Sequence, residues 1–269
     1  MNFMKYHGAG NDFILLKAQD IEGLDYAVTA RSLCHRNFGI GADGMMVSEK
    51  SEHADMKMVY HNQDGSIAPM CGNGLRCFGR FVHEHKLVEK DVFTVETLAG
   101  ILDVDVTKGY EKITIGLGKP EFDLHDPDVR EDTENGEPVK LTVNGQTYEM
   151  YVLFLGTLHG VIFTDREISS EDAHKLCHHE FFPKYINVNF TKVLDRKHLE
   201  VRTYERGVGF TLACGTGVCA AQVMAEKLGL TESGAEIKVP GGNLYAEVPD
   251  EVLLTGPAVY IAKGEMEIG

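Results

Sequence analysis

Cys71-Gly72-Asn73-Gly74-Leu75-Arg76-Cys77 and Cys214-Gly215-Thr216-Gly217-Val218-Cys219 are near-copies of one phrase, one in each half of the chain. Each follows a run with strand character, Met56 to Tyr60 and Leu199 to Tyr204, and each leads into a run with helical spacing. A chain of 269 residues with one Cys-Gly-polar-Gly turn per half reads as two related lobes. Lobes that face each other would aim two thiols at one cleft from opposite sides. That geometry takes a proton from one face of a carbon and returns one to the other.

Outward from these turns, the chain is a succession of short β-like runs broken by Gly, Asn and Asp. Phe13 to Lys17, Gly44 to Ser48, Met56 to Tyr60, Val92 to Glu96, Ile101 to Val106 and Lys112 to Ile115 read as strands of the first half. Glu149 to Leu155, Gly160 to Thr164, Tyr185 to Lys192 and His198 to Tyr204 read as strands of the second. Closing runs at Ile237 to Val239, Asn243 to Val248, Val252 to Thr255 and Ala258 to Ala262 read as the end of the second sheet. Helical spacing covers Tyr26 to Phe38, Gly74 to Lys86, Ser170 to His178 and Gly217 to Leu228. The last is apolar all round, as befits a helix enclosed by sheet. Gly118 to Pro138 is acidic, Pro-bearing and poor in apolar residues, so it reads as linker and loop with the domain boundary beside it. The fold class is α/β (α+β).

The bulk numbers exclude several classes. A net charge of −15 argues against a nucleic-acid or anionic-membrane surface, both of which need clustered Lys and Arg. Six cysteines at irregular spacing are too few for a disulfide scaffold. The N-terminus breaks into Gly, Asn and Asp before any secretory apolar run forms, and Tyr151 to Phe163 is interrupted by Gly156, Thr157, His159 and Gly160. The expectation is a reduced, soluble, cytoplasmic protein.

Removing the α-proton of an amino acid takes a base on one face, an acid on the other, and stabilisation of the developing carbanion. Cysteine suits both proton-transfer roles, because its ordinary pKa of about 8.5 is tunable toward neutrality. At a Gly-rich turn entering a helix, unpaired N–H groups and the helix dipole favour a thiolate and an anionic substrate group. Gly72, Gly74, Gly215 and Gly217 let backbone approach a ligand, and Asn73 and Thr216 add side-chain donors. A substrate α-carboxylate is the natural occupant. Cys34, Cys77, Cys177 and Cys219 read as core-packing thiols. Arg206 offers a planar fork for a carboxylate and Glu205 an acceptor for an ammonium. His83-x-His85 and Cys177-His178-His179 are the best metal candidates, but without CxxC or HExxH they read as solvated helix faces. Neither a strand-borne G-x-G-x-x-G nor a Walker A phrase is present.

Together these motifs resemble the diaminopimelate epimerases, a family of cofactor-independent two-cysteine enzymes. The resemblance runs nearly end to end. It rests on Lys5-Tyr6-His7-Gly8-Ala9-Gly10-Asn11-Asp12-Phe13, Gly39 to Gly44, Asn62-x-Asp64-Gly65-Ser66, both Cys phrases, Glu205-Arg206-Gly207 and Gly241-Gly242. It implies two similar lobes related by pseudo-twofold symmetry, each a curved, barrel-like mixed sheet around a central helix. The lobes would be 1–118, carrying Cys71 and completed by a C-terminal strand 259–269, and 119–258, carrying Cys214. By resemblance, Cys71 and Cys214 are the acid–base pair, while His159 and Glu205 tune the thiols. Asn11, Asn62, Asn187, Glu205 and Arg206 contact substrate, and Gly72, Asn73, Gly215 and Thr216 cradle its α-carboxylate. The implied reaction is epimerisation of LL- to meso-diaminopimelate in lysine and cell-wall biosynthesis. It would need no cofactor and no metal, and the implied assembly is a homodimer.

Three positions depart from the family pattern: Thr157 stands where a substrate-contacting Asn is usual, Gly44 where many members have Gln, and the residues around Ala262 where a Tyr linked to dimerisation is usual. Thr157 bears on the distal end of the substrate and motivates an alternative, a racemase of another amino acid such as histidine. A third reading is a non-catalytic amino-acid-binding or thiol redox protein whose facing cysteines form a disulfide. The phenazine-pathway isomerases share the fold but lack the cysteine pair, which argues against that assignment.

Overall fold

The chain folds as two units, Met1–Gly116 with the segment from Thr255 onward, and Leu117–Leu254. The computed structural model describes residues 1–125 and 127–267. In the first unit β1 (Asn2–Gly8) and β2 (Asn11–Lys17) form a hairpin, closed by Ala9 and Gly10 at φ 52° and 88°. Two positive φ values give the turn a twist that matches the flanking strands. α1 (Tyr26–Cys34) starts where the Val28 N–H donates to the Asp25 carboxylate at 3.0 Å. β3 (Gly44–Glu49) then runs parallel to β2, and β4 (Met56–Asn62) antiparallel to β3. After α2 (Gly72–Glu84), β5 (Val92–Thr97) lies parallel to β4. β6 (Gly100–Asp105) and β7 (Ile113–Gly116) follow antiparallel.

α2 is the core element of this unit. Leu75, Cys77, Phe78, Phe81 and Val82 are fully buried, and the helix packs on β1, β2 and β7. Each such apolar side chain contributes roughly 1.5–3 kcal/mol through burial. The terminal strand Val259–Glu265 pairs antiparallel with β1, so it joins this unit and does not close the second sheet. Residues 268 and 269 of the expected terminal strand lie outside the described residues.

The second unit opens with another tight hairpin. β8 (Pro138–Val143) and β9 (Gln146–Phe154) are joined by Asn144 and Gly145, at φ 50° and 77°. β10 (Leu158–Phe163) pairs antiparallel with β9. α3 (Ser170–Cys177), capped by Ser169, leads to β11 (Asn187–Asp195), parallel to β10. β12 (His198–Glu205) returns antiparallel, with two-residue β13 (Gly209–Phe210) beside its end. α4 (Gly215–Lys227) precedes β14 (Gly234–Val239), parallel to β12, and β15 (Gly242–Glu247), antiparallel to β14. Val218 to Ala225 are all buried, which makes α4 a helix with no solvent face along that stretch.

The two units therefore repeat one topology. The series β2-α1-β3-β4-α2-β5-β6 corresponds, pairing for pairing, to β10-α3-β11-β12-α4-β14-β15. Register makes the correspondence residue by residue. Phe13↔Gly44 and Met46↔Tyr60 in the first unit match His159↔Asn187 and Asn189↔Thr203 in the second.

Several expectations need correction. The first helix ends at Cys34, not Phe38, because His35 turns extended and its Nδ1 accepts the N–H groups of Asn37 and Phe38. The central helices begin at Gly72 and Gly215, two residues before their apolar spacing starts. The stretch 118–138 is loop, with the unit boundary just before it, but it is not a detached linker: Leu124, Val129 and Thr133 are buried, and bridges join Glu121 to Phe154 and Leu124 to Thr133. Position 126 lies outside the described residues.

Close packing of the helix starts has an asymmetric consequence. A Cβ at 74 would meet the Met46 methyl, the mobile tip of a flexible side chain, whereas a Cβ at 217 would meet the amide oxygen of fully buried Asn189. Gly74→Ala should therefore be near neutral in urea unfolding, its helix-propensity gain offsetting the crowding. Gly217→Ala should cost about 1–3 kcal/mol. Equal costs would contradict this packing.

Candidate active site

Cys71 and Cys214 hold the same structural position, the N-cap of a buried helix. Both are extended, at φ −143°, ψ 122° and φ −113°, ψ 109°. Their carbonyls accept the first intrahelical bonds, from Leu75 N–H at 2.7 Å and Val218 N–H at 2.9 Å. Neither sulfur caps the helix it begins. The first N–H groups of a helix have no acceptor within it, and the dipole there is positive, so each start is suited to an anion. Cys71 is half-buried and Cys214 buried, with its sulfur 3.6 Å from Thr216 Oγ1.

In the first unit the Cys71 thiol donates to Asn11 Oδ1 at 3.5 Å, and Asn11 Nδ2 donates to Asp43 Oδ2 at 2.6 Å. A carboxylate only accepts, so Asp43 turns the amide nitrogen to itself and the amide oxygen to sulfur. Asp43 is fixed in turn by Arg36 Nη2 at 2.7 Å, which also holds Asp12 at 2.9 Å, as does Lys5 Nζ at 2.9 Å. Burial opposes ionisation of Asp12, but hydrogen bonds and charge from Arg36 and Lys5 outweigh it and hold the carboxyl below its ordinary value. Asn62 closes β4 and donates to Ser66 Oγ at 3.0 Å. The amide oxygen of Asn73 accepts from Arg76 at 3.0 Å, so that oxygen is committed within the helix. Gly44 leaves room for the Tyr60 ring, which a Cβ at that position would strike.

In the second unit His159 on β10 is fully buried beside Asn187 on β11. Its Nδ1 lies 3.2 Å from Asn189 Nδ2, and among the described residues its Nε2 has no hydrogen-bond partner. Burial, then the charge of Arg206, pushes its pKa down to about 3. Arg206 is tied on three sides: its N–H donates to Asn187 Oδ1 at 2.9 Å, Nη1 to the Lys184 carbonyl at 3.0 Å, and Nη2 to Thr157 Oγ1 at 3.4 Å. Thr157 thus still supplies a polar atom at its position. Glu205 accepts from Thr211 Oγ1 at 2.7 Å. The structure thus groups Cys71 with Asn11 in one unit, and Asn187, Arg206 and Thr157 with His159 close by in the other.

Asp43, within the Gly39 to Gly44 phrase, and Asn189, within a strand-like run, carry no site role in the sequence alone. Asn187 and Asn189 share one face of a strand whose neighbours are apolar, and that spacing was the available signal. The remaining thiols behave as core. Burial pushes Cys34 and Cys77 up to about 12 and raises Cys177. His83 is held by the Tyr110 hydroxyl and Asp91, and His174 by the Tyr204 hydroxyl. No group of three or more His, Cys, Asp or Glu among the described residues is placed to hold a metal ion. Among the described residues no helix is long and apolar enough to cross a membrane.

A buried neutral histidine makes stability depend on pH. Between about 6.5 and about 3 the unfolded chain protonates His159 while the folded chain does not, so stability falls as pH drops through that window. The contribution is at most about 1.4 kcal/mol per pH unit. Urea unfolding at pH 7 and pH 4.5 should show a steeper loss for the native protein than for His159→Gln; parallel losses would refute the buried neutral state.

The diaminopimelate epimerase family profile matches residues 3–122 and 153–261. A diaminopimelate epimerase of Clostridium perfringens is 41% identical over 98% of this chain and 98% of its own. One of Caldanaerobacter subterraneus is 40% identical over the full length of both. Among solved structures, a phenazine biosynthesis protein of the PhzF family from Bacillus anthracis superposes with TM-score 0.70 at 18% identity, covering 100% of this chain and 99% of its own. A hydroxyproline epimerase from Agrobacterium vitis gives 0.67 at 13%, covering 98% and 91%. Those likenesses show the fold. The match across both halves and the full-length identity to curated relatives show the family: the chain belongs to the diaminopimelate epimerases, and so among the isomerases.

Proposed function

We propose that the protein epimerises LL-diaminopimelate to meso-diaminopimelate by two-base proton transfer, without a cofactor. The observation that carries this reading is the matched placement of Cys71 and Cys214, each the N-cap of the central helix of a repeated topology. One thiolate takes the α-proton, leaving a carbanion; the other thiol delivers its own proton to the opposite face and ends as the thiolate. The roles exchange when the reaction runs in reverse. The helix starts at Gly72-Asn73 and Gly215-Thr216 hold the α-carboxylate, whose fixed negative charge their dipoles offset.

Asn11 orients the Cys71 thiol. His159 and Glu205 tune the thiols, and Glu205 accepts from the substrate ammonium. Asn62, Asn187 and Arg206 grip the second carboxylate, and the Thr157 hydroxyl braces the guanidinium that does so. In this reading the enzyme serves lysine and cell-wall biosynthesis in the cytoplasm, works as a homodimer, and has an amino acid as its only other partner. A racemase of a different amino acid, the reading that Thr157 prompted, is not favoured by full-length relatives named for diaminopimelate.

Under reducing conditions the purified protein should convert LL-diaminopimelate to the meso isomer, read by chiral chromatography. Cys71→Ala and Cys214→Ala should each lower kcat by at least about a hundredfold, the scale of a lost general acid or base. Turnover of a monocarboxylic amino acid in preference, or full activity with either thiol removed, would overturn the reading.

A further inference from the structure

The side chains that surround His159 settle which of its nitrogens carries the proton. Asn189 Nδ2 lies 3.0 Å from the Gly160 carbonyl and 3.2 Å from His159 Nδ1, while Thr203 Oγ1 donates to Asn189 Oδ1 at 2.9 Å. The Gly160 carbonyl can only accept, so the atom facing it is the amide nitrogen. A flipped amide would set two acceptors 3.0 Å apart inside a fully buried site. With one N–H spent on Gly160, the second points at His159 Nδ1, which must then accept. The imidazole proton therefore sits on Nε2, the buried nitrogen that has no partner among the described residues. A second proton on Nδ1 would face the Asn189 N–H, so the same amide also opposes the imidazolium.

The fold does not demand this polar trio. At the corresponding register positions of the first unit stand Phe13, Met46 and Tyr60, where His159, Asn189 and Thr203 stand in the second. Met46 and Phe13 fill the space against Gly74 there, much as Asn189 and Thr203 do against Gly217. Aromatic and thioether side chains fill these positions in one unit. The second unit spends buried hydrogen bonds at the same place, and their joint effect is to orient one imidazole.

We propose that Asn189, itself held by Thr203 and Gly160, is a positioning residue that locks His159 as the neutral Nε2–H tautomer, so that His159 donates a hydrogen bond to an anion of the reaction and never serves as its base. This rests on the proposed proton-transfer function for its catalytic meaning, but not for its structural content. A donor aimed at a thiolate stabilises the charged form, whereas a bare Nε2 would compete for the thiol proton. Burial and the nearby charge of Arg206 act in the same direction as the Asn189 N–H, keeping the ring neutral.

Nitrogen NMR of protein labelled with 15N-histidine tests the tautomer directly, with His159 assigned by the signal lost in His159→Gln. The expected spectrum shows Nε2 protonated and Nδ1 bare, unchanged from pH 5.5 to 9. A protonated Nδ1, or titration of this ring within that range, overturns the proposal whether or not the protein turns over substrate. Asn189→Asp puts an acceptor against Nδ1 and should transfer the proton there. In that variant kcat should fall on the order of tenfold or more, while KM changes little. A kcat in Asn189→Asp equal to that of the native protein, with the ring proton moved to Nδ1, would also overturn it, and should that variant not fold, the native spectrum decides alone. Failure of epimerisation with the expected tautomer present would count against the proposed function only.

Discussion

The structure depends on how closely the first turns of α2 and α4 lie against their sheets. At Gly217 a side-chain carbon would strike the buried Asn189 amide, and at Gly74 it would have to displace the flexible tip of Met46. That approach carries the positive end of each helix to strand ends that bear polar residues: Asn11 and Asn62 in one unit, Asn187 and Glu205 in the other. A residue at the N-cap is then held extended at the helix mouth. With Cys in that place, a thiol and a set of backbone donors share one small region, which is what proton abstraction beside a carboxylate requires. The glycine restriction and the chemistry are thus one arrangement.

Repetition supplies two such mouths, but the surroundings differ. Around Cys71 the order comes from outer charges: Lys5, Asp12, Arg36 and Asp43 fix Asn11, and Asn11 meets the sulfur. In the unit of Cys214 it comes from inside, through Thr203, Asn189 and His159, at positions that are aromatic or thioether in the other unit. An enzyme that takes a proton with one group and returns one with another needs the pair held in opposite protonation states. Unequal environments on an equal scaffold are a physical route to that.

Much of this was legible in the sequence because the informative signals are local. The Cys phrases mark turns, short β-like runs between Gly, Asn and Asp mark β2 to β7, and the apolar run Val218 to Ala225 marks an enclosed helix. What escaped depends on distant parts of the chain. β1 has a mixed, polar-bearing sequence and becomes a strand through two neighbours, β2 and the terminal strand. The helices start earlier than their periodicity because Cys is an unusual N-cap and glycine weakens the helical signal. The stretch 118–138 looked like a linker by composition, yet a few buried side chains anchor it. Asn189 escaped because its meaning lies in Gly160, Thr203 and His159, all remote in sequence.

The central claim, that separate thiols remove and return the α-hydrogen, is tested most directly by isotope content during the first turnovers in deuterated water. A proton taken by one monoprotic thiol stays there, while the opposite thiol delivers hydrogen already equilibrated with solvent. The meso product formed initially from LL-diaminopimelate should therefore carry deuterium at the inverted carbon, while remaining LL substrate keeps its original hydrogen. Product that retains the substrate hydrogen, or substrate and product that gain deuterium together from the outset, would indicate a single base and contradict the account.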